Sequence, residues 1–410
     1  MQKSYDFMGK MKAKLIVIQA SSTTWSGGGD LCMNLMDGKP ILYHTINRFV
    51  ENFQTVKITV IAPMFDFGNM DFIKTFFQDG VVSIYYGHDE SPLRRMLDVT
   101  EDLDADDFII RINGLNFCAD IVAAESMLLR IQESDADSIR FPDNFPSLFT
   151  SDIYRVGSLR DTYAELLEDD GKYQIHPKYY MSSMSGYKSL VFQPDILKYT
   201  DEYLLSIRER SKSSIWDKRI EVDGRKSVKS GDQISYHYEL ASRFIEEAHY
   251  VIDLGCGNGF GFNFLSDNIH MYIGVDNDQE VIDHAIHLND HECVKFLCSD
   301  VLDLPFEQES VDAVLAFEII EHVDSNLLLR NIHRVLKPGG ILCLSTPQNS
   351  LGHIPSTPDH IYEFSLDEIL AIVSDLFVIE KIVGIKQGVI SFDNDPVGSN
   401  TFVVARKPTI

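Results

Sequence analysis

Val251-Ile252-Asp253-Leu254-Gly255-Cys256-Gly257-Asn258-Gly259 is the stretch whose reading decides the fold of the second half of this chain. Valine, isoleucine and leucine around a single acid read as a buried strand, and three glycines at alternate positions read as a turn that lets backbone approach a ligand. A helix expected at Phe260–Ser266 would offer its free N–H groups to an anionic group. Glycines alone do not separate dinucleotide, phosphate and nucleoside sites. Two later acids narrow the choice. Asp276 ends the next strand, roughly twenty residues on, where a carboxylate can accept both ribose hydroxyls. Asp300 ends the third strand and suits an exocyclic amine. Two acids and an uncharged turn fit an adenosine with an amino-acid tail better than a pyrophosphate.

Outward from this stretch, strand and helix periods alternate. Strands are expected at Tyr250–Leu254, Met271–Asp276, Val294–Ser299, Val311–Phe317 and Ile341–Ser345. Helices are expected near Glu239–Glu247, Gln279–Leu288, Ser325–Leu336 and Leu366–Ser374, the pattern of a doubly wound α/β sheet. No helical period separates Phe377–Ile385 from Thr401–Arg406, so these are expected to form a terminal antiparallel pair.

Asp253–Gly259, Asp276, Ser299–Asp300, Phe317–Val323 and Arg334–Gly340, in that order, resemble the class I S-adenosylmethionine-dependent methyltransferases, a Rossmann-like fold. Ser345–Asn349, His360 and Glu363–Ser365 are similar to a subset found with surface-glycan genes. The resemblance implies S-adenosylmethionine as cofactor. Gly255, Gly257 and Gly259 would line its methionine part, Asp253 its amino group, Asp276 the ribose, and Asp300 with Val301 the adenine. Tyr238 falls in the lead-in helix. Methyl transfer is an in-line displacement that depends on aligning the nucleophile. A hydroxyl nucleophile also gains from a base near neutral pKa, so His322 and His360 are candidate catalytic residues, with Glu321 placed to orient either. No metal is expected, because the chain lacks the clustered carboxylates of a magnesium-dependent catechol-type enzyme.

The first half shows a second α/β alternation: Lys14–Ala20, Val56–Pro63, Val81–Gly87 and Phe108–Asn113 as strands, with helical periods between them. The first strand leads into Ser21–Gly29, a loop of small hydroxyl and glycine residues able to wrap phosphates. Gly38–His44, Pro92–Arg95, Ile110–Gly114, Asp120, Phe141–Pro142 and Asp152 resemble, in order, the sugar nucleotidyltransferases, and most nearly the cytidylyltransferases of acidic-sugar and spore-coat polysaccharide type. The resemblance implies nucleotide contacts at Gly27, Gly28, Lys39, Arg95 and Asp152. The sequence also departs from that family. Trp25 and Gly29 stand near the places of a loop arginine and lysine, and Leu115 replaces a magnesium-binding aspartate, which a leucine cannot imitate. Nucleotidyl transfer is therefore expected to be lost while binding of a nucleotide or nucleotide-sugar is kept.

Two doubly wound domains result: 13–180 nucleotidyltransferase-like, 233–410 methyltransferase, and between them a serine-rich and basic connector, 181–232. The leading expectation is methylation of a small molecule, a sugar or nucleotide-linked sugar of surface-glycan biosynthesis, with the first domain binding or presenting it. The alternatives are a bifunctional cytidylyltransferase and methyltransferase, or a methyltransferase on a non-sugar acceptor with a structural or oligomerisation domain attached. Composition bounds the partners. With 62 acidic and 36 basic residues the net charge is −26, which disfavours nucleic acid. Residues 1–14 lack the apolar run of a signal peptide, and no run approaches the roughly 20 apolar residues of a membrane helix. A cytoplasmic protein with no membrane partner is expected. Cys32, Cys118, Cys256, Cys293, Cys298 and Cys343 contain no CxxC pair, so neither a zinc site nor a disulfide framework is expected. Oligomeric state stays open, with a homodimer the analogy from fused sugar enzymes.

Overall fold

The computed structural model describes residues 13–22, 31–166, 171–212, 233–265, 268–355 and 360–409. It separates into two compact units, Met1–Lys198 with Glu209–Arg219, and Tyr199–Arg208 with Ile220–Ile410.

In the first unit, β1 (Leu15–Gln19) is followed by a two-residue hairpin pair, β2 (Leu35–Met36) and β3 (Lys39–Pro40). Then come β4 (Lys57–Pro63), β5 (Val82–Gly87), β6 (Phe108–Asn113), β7 (Ser138–Arg140), β8 (Asp152–Arg155) and β9 (Ser189–Val191). The sheet order is β5-β4-β1-β6-β8-β7-β9. β5, β4, β1 and β6 pair in parallel, whereas β8 runs antiparallel to both of its neighbours. Two expectations are corrected here. The helical period expected between Val56–Pro63 and Val81–Gly87 forms a 3-10 turn, Asp71–Phe76. The sheet also continues past residue 180: β9 pairs with β7, with Lys188 N–H donating to Asp137 (2.8 Å) and the hydroxyls of Ser138 and Ser189 2.8 Å apart. Those polar ties bind part of the expected connector into the sheet.

The second unit contains β10 (Tyr250–Leu254), β11 (Met271–Asp276), β12 (Val294–Cys298), β13 (Val311–Phe317), β14 (Leu336–Pro347), β15 (Val378–Ile385) and β16 (Asn400–Arg406). Their order is β12-β11-β10-β13-β14-β16-β15. The first five are parallel, and β16 is antiparallel to β14 and β15, as the missing helical period implied. Each face of the sheet packs an apolar layer. One layer joins Ile252, Val314 and Leu344 to Leu328 and Ile332 of the helix Ser325–Val335 and Ile369 of the helix Leu366–Ser374. The other joins Val251, Leu315 and Phe402 to Tyr238 and Ala241 of the helix Gln233–Ser242. That helix carries Tyr238, as the lead-in segment implied, and it ends at Ser242, short of the Glu247 that periodicity suggested.

Phe260–Ser266 is not an α-helix; its described part is a 3-10 turn, Phe260–Phe264. Gly261 inside it abuts Tyr238, so that a Cβ there would lie 2.2 Å from the ring. Glycine is a poor helix former, and close ring packing takes the place of helix here. Among the described residues no helix is long and apolar enough to cross a membrane.

Candidate functional site

From β10 the chain steps outward to β11 and β12, then returns to β13 on the other side. Ligands of open α/β sheets bind beyond the carboxyl ends of the strands at such a reversal. Here the reversal lies between Leu254, where β10 enters the glycine turn, and Phe317, where β13 enters Glu318–His322.

The glycine turn is built as its residues require. Gly255, Gly257 and Gly259 have φ of +72°, +53° and +72°, conformations glycine takes without a Cβ penalty. Added Cβ atoms would meet different neighbours. At Gly259 one would lie 2.3 Å from Phe296, at Gly255 3.1 Å from Ile319, and at Gly257 nothing lies within 4 Å. Gly255 and Gly259 are thus closed by packing, while Gly257 faces open space. Gly257 N–H donates to Asp276 Oδ2 (3.2 Å), and Asp278 N–H donates to Oδ1 (3.1 Å), which fixes the Asp276 carboxylate at the end of β11.

Asp253 is fully buried, and its Oδ2 accepts from Tyr238 Oη (2.9 Å) and from Tyr272 Oη. Its Oδ1 has no hydrogen-bond partner among the described residues. Burial pushes this carboxyl up to about 7 against the two tyrosine hydroxyls, which pull it down. Asp300, after β12, is exposed and accepts from Leu302 N–H (2.8 Å). The Val301 side chain is buried in the apolar layer and offers no polar group. An orphaned buried acceptor beside an open glycine suits a ligand bearing an ammonium group, so these residues fit the amino-acid end of S-adenosylmethionine.

On the other side of the reversal, the ligand atoms of Glu321, His322 and His360 all lie within 4.8 Å of one another, and the two imidazole rings meet edge to face at 4.8 Å. Glu321 Oε2 accepts from Thr346 Oγ1 of β14 (3.0 Å), and Oε1 has no hydrogen-bond partner among the described residues. Burial, followed by the nearby Glu318 carboxylate, drives the Glu321 carboxyl well above the usual range. Glu321 was expected to orient a histidine; for His360 that role falls to Glu363, whose Oε1 lies 2.8 Å from Nδ1. Asn349 Nδ2 holds the other oxygen of Glu363 (2.9 Å). Glu318, with φ of +53°, accepts from Ser345 Oγ (2.7 Å) and Asn400 Nδ2 (2.8 Å). Sequence reasoning assigned no role to Tyr272, Glu318, Asn349 or Glu363. The signal for Glu363 was its spacing of three from His360; Tyr272 carried none, since a strand tyrosine reads as core.

A methyltransferase-domain family model matches residues 252–344. Residues 252–344, within the second unit, thus carry a methyltransferase domain. The domain is 31% identical over 144 residues to a Mycolicibacterium smegmatis protein named a probable S-adenosylmethionine-dependent methyltransferase, covering 34% of this chain and 55% of that one. A Mycobacterium tuberculosis protein of the same description is 32% identical over 133 residues, covering 31% and 48%. A carboxy-S-adenosyl-L-methionine synthase of Actinobacillus succinogenes is 36% identical over 116 residues, covering 26% and 48%. The chain spans about half the length of these curated relatives.

Of the N-terminal residues expected to contact a nucleotide, Arg95 and Asp152 are engaged within the chain. Gly27 and Gly28 lie outside the described residues. Arg95 is a correction: it is buried, and its Nη1 donates to the carbonyls of His88 and Asp89 (3.1 Å for the latter), as a group holding a turn does. Desolvation lowers its pKa to about 10. Asp152 is buried between Arg111 (3.4 Å) and Lys178 (3.2 Å). Lys39 lies over the Tyr43 ring, 3.9 Å from its centroid.

Proposed function

We propose that this chain transfers the methyl group of S-adenosylmethionine to a hydroxyl of a sugar or nucleotide-linked sugar. One observation carries the reading: the glycine turn with its orphaned acid and the Glu321–His322–His360 cluster flank the same sheet reversal. S-adenosylmethionine, when bound, supplies an electrophilic methyl on a sulfonium. Asp253 Oδ1 receives the cofactor's ammonium, Gly257 leaves room for its backbone, and Asp276 accepts the ribose hydroxyls. The acceptor hydroxyl is activated and aligned at the cluster, where alignment is most of what displacement demands. The imidazoles there also suit an oxygen acceptor, whose proton must leave.

The sugar acceptor rests on the resemblance of the first unit to sugar nucleotidyltransferases. That unit is proposed to bind the substrate without transferring a nucleotidyl group, and several contacts support the loss. Leu115 provides no metal ligand. Asp152 is spent on Arg111 and Lys178. Ser21 Oγ (2.8 Å), Ser22 N–H (2.7 Å) and Ser22 Oγ, which begin the loop after β1, all donate to the buried Asp66 carboxylate.

The test offers the full chain labelled S-adenosylmethionine together with sugars, nucleotide-sugars, proteins, lipids and quinones. Label in a sugar is expected. Label in a protein, lipid or quinone with none in sugars would overturn the acceptor class, and failure to bind S-adenosylhomocysteine would overturn the methyltransferase itself.

A further inference from the structure

Glu321, His322 and His360 bring one carboxylate oxygen and two imidazole nitrogens within 4.8 Å of one another, on the segments that leave β13 and β14. The sequence suggests separate acid–base roles for these residues; the geometry points to a joint one. We propose that the cluster holds a divalent first-row transition-metal ion of the Zn2+ or Mn2+ kind, which takes the acceptor hydroxyl as a further ligand. The proposal rests on the reading of this edge as the methyl-transfer site.

Four observations carry it. The donor set is chemically apt: two imidazoles and one carboxylate form the protein half of an open catalytic metal site, with positions left for water or substrate. An all-oxygen shell of the kind magnesium prefers is not what the chain provides. The orientation of His360 is also apt. Its Nδ1 is committed to the carboxylate of Glu363, which Asn349 fixes in turn, so Nε2 keeps the lone pair. A ligating histidine characteristically donates its other ring N–H to a carboxylate in this way. Third, Glu321 is 1% exposed and its Oε1 has no hydrogen-bond partner among the described residues. A buried carboxylate oxygen left unpaired is costly, and a cation at the cluster resolves that cost. Finally, Glu318 and Glu363 are close enough to act electrostatically on Glu321. Three carboxyl groups thus gather beside the two imidazoles, a setting rich in donors for a cation.

The place is right for the chemistry. Ile319, between Glu318 and Glu321, packs against Gly255 of the cofactor turn. A cation at the cluster lowers the pKa of a bound hydroxyl, as it does that of bound water. The hydroxyl proton passes to solvent, the oxygen forms its bond to the methyl carbon, and the carbon–sulfur bond breaks with its electron pair going to sulfur. A methyl ether and S-adenosylhomocysteine result, with no oxidant or reductant needed.

The full chain, stripped with chelator and dialysed, is titrated with Mn2+ while electron paramagnetic resonance reads the free ion; Zn2+ then competes. S-adenosylhomocysteine binding is followed separately by calorimetry. One ion per chain is expected. His360→Ala and Glu321→Gln should each abolish or strongly weaken uptake, and Glu363→Gln should weaken it about ten- to a hundredfold, with S-adenosylhomocysteine binding kept in all three. Normal S-adenosylhomocysteine binding by a chain that takes up neither ion at millimolar concentration overturns the metal site and leaves the methyltransferase reading standing. Uptake unchanged in His360→Ala and Glu321→Gln overturns it too. Metal uptake without S-adenosylhomocysteine binding supports the metal site and sinks the methyltransferase reading instead.

Discussion

Replacing Asp253 by asparagine while titrating S-adenosylhomocysteine at several pH values probes the electrostatics of the glycine turn directly. The carboxyl is fully buried, sits at a pKa of about 7, and keeps Oδ1 without a partner among the described residues. An ammonium brought to Oδ1 favours the ionised form, so binding expels whatever proton the carboxyl held. With a pKa of about 7 in the free protein, the expected release per site is about 0.9 proton at pH 6, about 0.5 at pH 7 and about 0.1 at pH 8. Calorimetry in buffers of matched pH and different ionisation enthalpy counts these protons from the slope of observed against buffer enthalpy. Asp253→Asn should flatten the slope at pH 6.

The same shift predicts how the free protein responds to pH. Asp253 titrates at 3.8 ordinarily and at about 7 when folded. A carboxyl raised on folding contributes stability that is fully present below its unfolded pKa and lost as pH rises through its folded one. At about 1.4 kcal/mol per unit the loss from pH 4 to just above 7 amounts to ~4 kcal/mol, and the asparagine variant should lack it. A wild-type protein that releases no proton at pH 6, or a variant that releases as many, would refute the placement of the ammonium at Asp253.

Four further outcomes are expected. Gly259→Ala drives a Cβ to 2.3 Å from Phe296 at a φ of +72°, so it should cost several kcal/mol and abolish S-adenosylhomocysteine binding. Gly257→Ala has open space and should cost only the left-handed penalty of about 1–2 kcal/mol, which comparative thermal melts would show. Tyr272→Phe removes a donor that holds the Asp253 pKa down, so the proton-release profile should move to higher pH. Arg95→Met strands the carbonyls of His88 and Asp89; a loss of about 1–3 kcal/mol in denaturant unfolding, with S-adenosylhomocysteine binding intact, is expected.

Much of the second unit was legible because its signals are local. Val251–Gly259 encodes strand, acid and turn in consecutive residues, and the terminal strand pair followed from a missing helical period. What escaped depends on distant packing. The segment Phe260–Phe264 was expected to be helical from its place after the glycine turn, yet Gly261 against the Tyr238 ring makes it a 3-10 turn. Arg95 stands in a motif that implies a phosphate contact, and only the fold shows its guanidinium turned into backbone carbonyls. The approach of His360 to Glu321 could not be read from spacing because β14 and its following loop intervene.

The two sheets treat comparable loops in opposite ways, and the difference bears on what each can bind. In the first unit β1 and β6 flank the strand reversal, and the loop leaving β1 begins by donating Ser21 Oγ, Ser22 N–H and Ser22 Oγ to Asp66, a carboxylate of the chain itself. Those donors already hold an anion. A phosphate arriving there would have to displace a buried carboxylate and leave it without partners, a cost of several kcal/mol for a charged group. In the second unit, β10 and β13 flank the reversal, and the acid before the glycine turn keeps an oxygen with no protein partner among the described residues. That oxygen favours a cationic group. Phosphate recognition in the first unit therefore has to come from groups other than Ser21 and Ser22, whereas ammonium recognition in the second needs nothing beyond the acceptor already in place.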